Sequence, residues 1–218
     1  MIKRRGVGLG ALFGLVIGVS SSLSCSGDRS PTTPTPPVDP TAPTFSAPIP
    51  IAIGHTIGAA TYAPFDSVTG GQGQNVDGIS CDGSIPIQHI HAHLTLIADG
   101  VQRAIPLGIG ASGAEVISNF VVDARCFYWV HTHDASGIIH IESPNATQRN
   151  LGELFAIWGE PLSRSNVGGF TGAVTAYVDS TRYDGDLGSL GFVERQQITL
   201  IVGTVPPQLP VYALPSAF

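Results

Sequence analysis

The chain has 218 residues, a formal net charge of −6, 43% hydrophobic and 12% charged residues, enough apolar material for one ordinary core. Its single lysine, Lys3, sits beside Arg4 and Arg5, and without that trio the balance is seven basic against sixteen acidic residues, near −9. Such a charge argues against nucleic acid as a partner, and a chain with no lysine beyond Lys3 has no ammonium for Schiff-base or phosphate chemistry.

The three basic residues precede an apolar run, Gly6 to Val19, that ends in small residues before Cys25, the order of an export signal. The run is too short and too glycine-rich to span a membrane comfortably. Ser22-Leu23-Ser24-Cys25 resembles the lipobox of bacterial lipoproteins, with its leucine one place late, so Cys25 is the expected lipidated residue. The expectation is an exported cell-envelope lipoprotein, on the periplasmic or outer-membrane face and held to the membrane through its N-terminal lipid. Simple secretion and a retained anchor are the alternatives. Arg4-Arg5 hints at twin-arginine export, but its flanks do not complete that motif.

Residues 26 to 50 hold eight prolines among serines and threonines and read as an extended linker. Residues 51 to 205 read as a single β-rich domain, and the proline-punctuated stretch 206 to 218 as a tail along its surface. Alternating patterns predict strands over Gln88 to Ile97, Phe127 to His133, Ile138 to Glu142, Ala173 to Val178 and Gln197 to Val202. Asp99-Gly100 predicts a hairpin returning through Val101 to Ile105. The segments LTLIADG from Leu94 and VTAYVDS from Val174 look alike, which suggests similar hairpins. Asn150 with Glu153 three places on makes a capping box before Leu151, Leu154, Phe155 and Trp158, and Gly159 with Pro161 ends that helix. The expected fold is α+β, mostly β: a small mixed or antiparallel sheet with one packed helix, β-grasp-like, with a β-sandwich as alternative.

Six of the seven histidines fall in two short segments, His89, His91 and His93 in the first and His131, His133 and His140 in the second, while His55 stands alone and reads as incidental. On a strand, alternate side chains share a face, so His89, His91 and His93 point one way and Ile90, Ala92 and Leu94 the other. Asp134-Ala135-Ser136-Gly137 has the composition of a tight turn that pairs His133 with Ile138 and His131 with His140. That register gathers His131, His133, His140 and Glu142 on one face with Trp129, whereas a three-residue loop would turn His140 and Glu142 away.

Histidines at i and i+2 on a strand lie about 6 to 7 Å apart at the backbone, within reach of one ion at about 2.0 to 2.1 Å. The candidate metal ligands are therefore His89, His91, His93, His131, His133, His140 and Glu142. Asp134 and Glu142 can also orient an imidazole or serve as the general base of a metalloenzyme. Imidazole with a carboxylate suits a divalent transition metal, copper(II) or zinc first, with iron(II) and nickel also compatible. Met1 is the only methionine, which removes a thioether copper(I) site. Cys81 and Cys126 are expected as a disulfide in an oxidising compartment, with free thiols or two metal ligands as alternatives.

These residues support three readings: an envelope protein that captures or buffers copper or zinc; a metalloenzyme with three histidines on zinc or iron; and a structural or adhesion domain whose imidazoles are hydrogen-bonded or solvated. A pure pH sensor is a further reading of so many protonatable rings. No GxSxG elbow, phosphate-binding loop or dinucleotide fingerprint is present in the sequence.

The strings HIHAHLTLIADG, IPLGIG, CFYWVHTHDASGIIHIESP and LGELFAIWG resemble an uncharacterised family of secreted or lipid-anchored bacterial proteins. The resemblance covers roughly Val76 to Val205. It implies that these segments belong to one exported module, and it carries no activity or ligand.

Overall fold

The computed structural model describes residues 42–65, 70–83 and 85–218. The residues read as export signal, Cys25 and the expected linker up to residue 41 lie outside them. The described chain begins with β1 (Thr44–Pro50), followed by β2 (Cys81–Asp82), the long β3 (Gln88–Ala98) and β4 (Val101–Arg103). Next come β5 (Ala111–Ser112), β6 (Glu115–Ile117), β7 (Phe120–Asp123), β8 (Cys126–Tyr128), β9 (Val130–His131) and β10 (Ile138–Ser143). The helix α1 (Leu151–Trp158) precedes β11 (Asn166–Val167), β12 (Phe170–Thr171), β13 (Val174–Val178), β14 (Thr181–Tyr183), β15 (Gln197–Val202) and β16 (Gln208–Ala213). This is an α+β fold, mostly β, with one helix among the described residues.

Seven strands make one mixed sheet in the order β14-β13-β15-β3-β10-β9, with β4 also on β3. β3 and β15 run parallel, and the other neighbours are antiparallel. β3 is central because its run from His91 to Ala98 is buried on both faces, which a run such as LTLIA tolerates without loss. On one face Ala92, Leu94, Leu96, Ile139, Ile141 and Leu200 meet Leu151, Leu154, Phe155, Ile157 and Trp158 of α1. Each of the leucines, isoleucines and the phenylalanine taken from water contributes about 1.5 to 3 kcal/mol. The helix is fixed at its start by the reciprocal bonds Glu153 N–H to Asn150 Oδ1 (3.0 Å) and Asn150 N–H to Glu153 Oε2 (2.9 Å). It stops at Gly159, whose φ of 83° is left-handed.

Two hairpins share one device. Asp99 and Gly100 (φ 55° and 73°) connect Ala98 to Val101, and Asp179 and Ser180 (φ 47° and 66°) connect Val178 to Thr181. Both are two-residue turns with left-handed central residues, the geometry that matches strand twist. The likeness of LTLIADG and VTAYVDS is therefore a likeness of strand-plus-turn units.

The stretches read as linker and tail need correcting at their inner ends. Thr44–Pro50 and Gln208–Ala213 are strands that pair with each other in parallel, from Thr44 opposite Gln208 to Pro50 opposite Ala213. Pro48 and Pro50 are tolerated because β1 has a strand neighbour on one side alone. This ladder covers part of the face opposite α1: Leu209 and Phe45 pack with Ile97, Tyr177 and Ile201, and Tyr212 and Leu214 pack with Ile138 and Ile51. Proline content hid the pairing, because it lowers any strand signal, and no strict inward alternation replaces it: Ala47 to Pro50 are exposed, and Leu209 and Tyr212 are the buried positions of β16.

Cys81 and Cys126 are joined in a disulfide that ties β2 to β8 across 45 residues of chain. A loop of that length gives about 4 kcal/mol on the chain-entropy model.

Candidate metal centre

β10 runs between β3 and β9. Its register sets His140 opposite His91 on one side and opposite His131 on the other, and Glu142 opposite His89. The Asp134-to-Gly137 turn is thus the longer one, and five histidines with Glu142 converge on the face away from α1. His131 is fully buried, His91 and His140 are 5% exposed, His133 and Glu142 are partly exposed and His89 is open to solvent.

The segment carrying His131 and His133 is held from both sides. Thr132 Oγ1 donates to the Pro106 carbonyl (2.9 Å) and accepts from Ile109 N–H (3.0 Å), while Thr132 N–H donates to the Ile109 carbonyl. Gly110 (φ 74°) permits this approach, since a Cβ there would lie 2.9 Å from the Val130 carbonyl oxygen and 3.1 Å from His131 Cβ. On the other side Val121 N–H donates to the His133 carbonyl (2.8 Å). Phe120 and Phe127 stack against the His133 ring at 4.9 and 5.2 Å between centroids, and Phe127 also lies against His131.

The hydrogen bonds fix which nitrogen of each ring carries a proton. His131 Nδ1 lies 2.8 Å from the Tyr128 carbonyl and His133 Nδ1 lies 2.5 Å from the Val121 carbonyl. A carbonyl only accepts, so both Nδ1 atoms are N–H donors. In the neutral rings each Nε2 then presents a lone pair, and these two Nε2 atoms face each other at 3.0 Å. Two facing lone pairs repel unless something electropositive lies between them.

A proton carried by His131 is a poor candidate. Burial first, then the neighbouring His140 and His133 rings, push His131 well below its ordinary pKa. Burial and the His133, His91 and His89 rings do the same to His140, and burial with His89 lowers His91. The approaches of Glu142 Oε1 to His131 Nε2 (3.9 Å) and His140 Nδ1 (3.8 Å) are therefore contacts with neutral rings and not ion pairs. A metal ion takes neutral imidazole directly, and a backbone carbonyl on the second nitrogen is the usual means of orienting such a ligand.

Two sets of donor atoms lie within 4.8 Å of one another: His131, His133, His140 and Glu142, and, overlapping at His140, His89, His91 and His140. Metal–nitrogen bonds of about 2.0 to 2.1 Å put adjacent nitrogens about 2.9 to 3.4 Å apart, and the His131–His133 and His89–His91 pairs stand at 3.0 and 3.2 Å. The cluster can hold a metal ion.

Three expected participants sit elsewhere. His93 shares the face but lies under Tyr212 (centroids 4.6 Å apart), donates from Nε2 to the Ser136 carbonyl (2.9 Å) and has Thr95 Oγ1 3.4 Å from Nδ1. Its two nitrogens are used, and it belongs to neither donor set. Asp134 spends its carboxylate on the turn, accepting from Gly54 N–H (2.7 Å) and from the Ser136 N–H and hydroxyl. Trp129 falls at a break between β8 and β9, packs on the main core and lies under the Arg149 guanidinium at 4.8 Å, so Phe127 takes the place on the histidine face expected of it. His55 is exposed and apart from both sets.

Other contributors have no sequence signal near the histidines. Phe218 stacks on His91 (4.7 Å, 25° between planes) and meets His140 at 5.1 Å. Glu194 Oε2 accepts from His91 N–H (3.0 Å), and Arg195 N–H donates to the His91 carbonyl (2.6 Å). No family model, curated protein or solved structure matches the chain.

Proposed function

We propose that this protein binds a divalent transition metal, copper(II) or zinc, at the bacterial cell envelope and serves to capture or buffer it. The observation that carries this reading is the pair of facing Nε2 atoms of His131 and His133, each held with its proton on the far nitrogen. Imidazole with one carboxylate favours copper(II) and zinc over calcium or magnesium. With Cys81 and Cys126 in a disulfide, the described residues offer no thiolate for a copper site. The anchoring half of the proposal rests on the basic start, the apolar run and Cys25, together with the resemblance of the histidine segments to exported proteins.

A hydrolytic metalloenzyme is the second reading. What favours it is an open cleft of about 190 Å³ beside Glu142, lined also by Asp82, Gly83, Phe127 and Trp129. There Glu142, partly exposed, is the candidate base for a metal-bound water.

The test is elemental analysis of untagged protein from the envelope fraction, followed by calorimetric titration of the apo-protein with copper(II) and zinc. At least one tightly bound ion per chain is expected. The His131→Ala/His133→Ala double variant should lose more than the 10- to 100-fold that removal of an outer-sphere partner costs. Metal-free protein with no affinity tighter than about 10 µM would put the structural-domain reading in front.

A further inference from the structure

The donors form a row across three strands rather than a ring around one point. His89 and His91 come from β3, His140 and Glu142 from β10 between them, and His131 with His133 from β9 and the turn beyond it. Strands are spaced about 4.8 Å apart, so the two outer groups stand about 9 to 10 Å apart at the backbone. A single ion with bonds of about 2.0 to 2.1 Å spans about 4.2 Å between opposite ligands. The donor sets reflect this limit: each is compact, and they share His140 without merging into one. Each outer pair is independently spaced for chelation, at 3.2 Å for His89 and His91 and 3.0 Å for His131 and His133.

The two central residues lie between the flanks, and Glu142 can serve both at once. His140 lies against His91 (centroids 4.6 Å), His133 (4.5 Å) and His131 (5.5 Å), so its one lone pair is within reach of either flank. Glu142 has two carboxylate oxygens, and its Oε1 is 3.2 Å from His89 Nε2 on one flank and 3.9 Å from His131 Nε2 on the other. Charge is also available on the β3 side, where Glu194 accepts the His91 N–H.

Resting on the metal-binding reading above, we infer that the site holds two ions, one on each flank of β10, chelated by His89 with His91 and by His131 with His133, with the Glu142 carboxylate bridging them and His140 as a further ligand to one of the two. Pairs of this kind stand about 3.5 to 4 Å apart, and such closeness couples the two ions electronically.

The experiment is titration of the apo-protein with copper(II), read by bound metal per chain and by double integration of the electron paramagnetic resonance signal. The expected result is an endpoint of two ions per chain and a loaded signal integrating to well under two spins, because bridged copper(II) ions couple. His89→Ala/His91→Ala should then bind one ion with a fully integrating signal. His89→Ala alone, at an exposed position where folding is not at stake, should weaken the second binding step at least tenfold and leave the first within about twofold. An endpoint of one ion, unchanged in His89→Ala/His91→Ala, would overturn the two-ion inference and leave the metal-binding reading standing. Two ions with two full, uncoupled spins would overturn the shared bridge. No uptake by the wild-type chain would overturn both.

Discussion

His93 and His131 present two outcomes of the same local pattern. Both alternate onto the face away from α1, both are buried, and burial lowers the basicity of both, to about 4 in the case of His93. His93 finds a partner for each nitrogen, in the Ser136 carbonyl and Thr95, and β16 closes over it through Tyr212. His131 has its Nδ1 satisfied by the Tyr128 carbonyl and its Nε2 turned onto another imidazole. Strand alternation decides the face a side chain takes. The element lying on that face decides whether a histidine becomes part of the core or stays available as a ligand.

The sharpest way to break the comparison is to substitute each in turn. His131→Ala should reduce copper(II) and zinc affinity more than 100-fold, a larger loss than outer-sphere changes give. His93→Ala should leave affinity and stoichiometry unchanged while lowering the unfolding free energy of the apo-protein by about 2 to 4 kcal/mol, from a cavity and an unpaired Ser136 carbonyl. Calorimetric titration alongside urea denaturation separates the two effects. Equal losses of metal affinity would mean that His93 is part of the site after all.

Acid should sharpen the contrast on the His93 side. The unfolded ring titrates near 6.5 and the folded one near 4, so its contribution is fully present above pH 6.5 and is lost as pH falls from 6.5 towards 4. At 1.36 kcal/mol per unit that is about 3 kcal/mol. His91, His131 and His140 are lowered as well and act in the same direction. Urea midpoints of the apo-protein at pH 7.5, 6 and 5 should fall steeply, and His93→Leu should show a shallower slope between pH 6.5 and 5. A flat profile in the parent protein would contradict the burial of these rings. Metal works the other way: free ion at 100 times Kd adds about 2.7 kcal/mol at neutral pH, which for a chain of this size raises Tm by about 5 to 11 °C.

Much of the frame was legible in the sequence, and the reason is local. Asn150 with Glu153, Gly159, Asp99-Gly100 and the period-two histidines each act over a few residues, so their structure can be read where they stand. The register of β9 against β10 was one of the two that the Asp134-to-Gly137 segment left open, and the turn length chose between them. What could not be read is what reaches the site from elsewhere. The Tyr128 and Val121 carbonyls are backbone atoms that no residue identity announces, and Phe218 meets His91 only because β16 crosses the sheet. The fate of Asp134 depended on Gly54, 80 residues away. Prolines 48 and 50 concealed a strand, because their cost falls on the edge that needs no hydrogen bond.

The smallest expected effect tests the cover that separates the exposed end of the site from the sealed one. Phe218 lies over His91 and His140, and one arginine connects that cover to the strand beneath. Arg195 donates from Nη1 to the Phe218 carbonyl (2.6 Å), from Nη2 to the Leu214 carbonyl (2.9 Å) and from its main-chain N–H to the His91 carbonyl (2.6 Å). An aromatic stack of this kind is worth about 0.5 to 1.5 kcal/mol, so Phe218→Ala should speed metal release to a chelator by about two- to tenfold. Equilibrium affinity should change less than the rate, because none of the ligands is removed. Arg195→Ala should move the rate in the same direction through loss of the tether. Stopped-flow release measured for both variants checks this, and rates equal to the parent's would show that the ring rests on the site without controlling access to it.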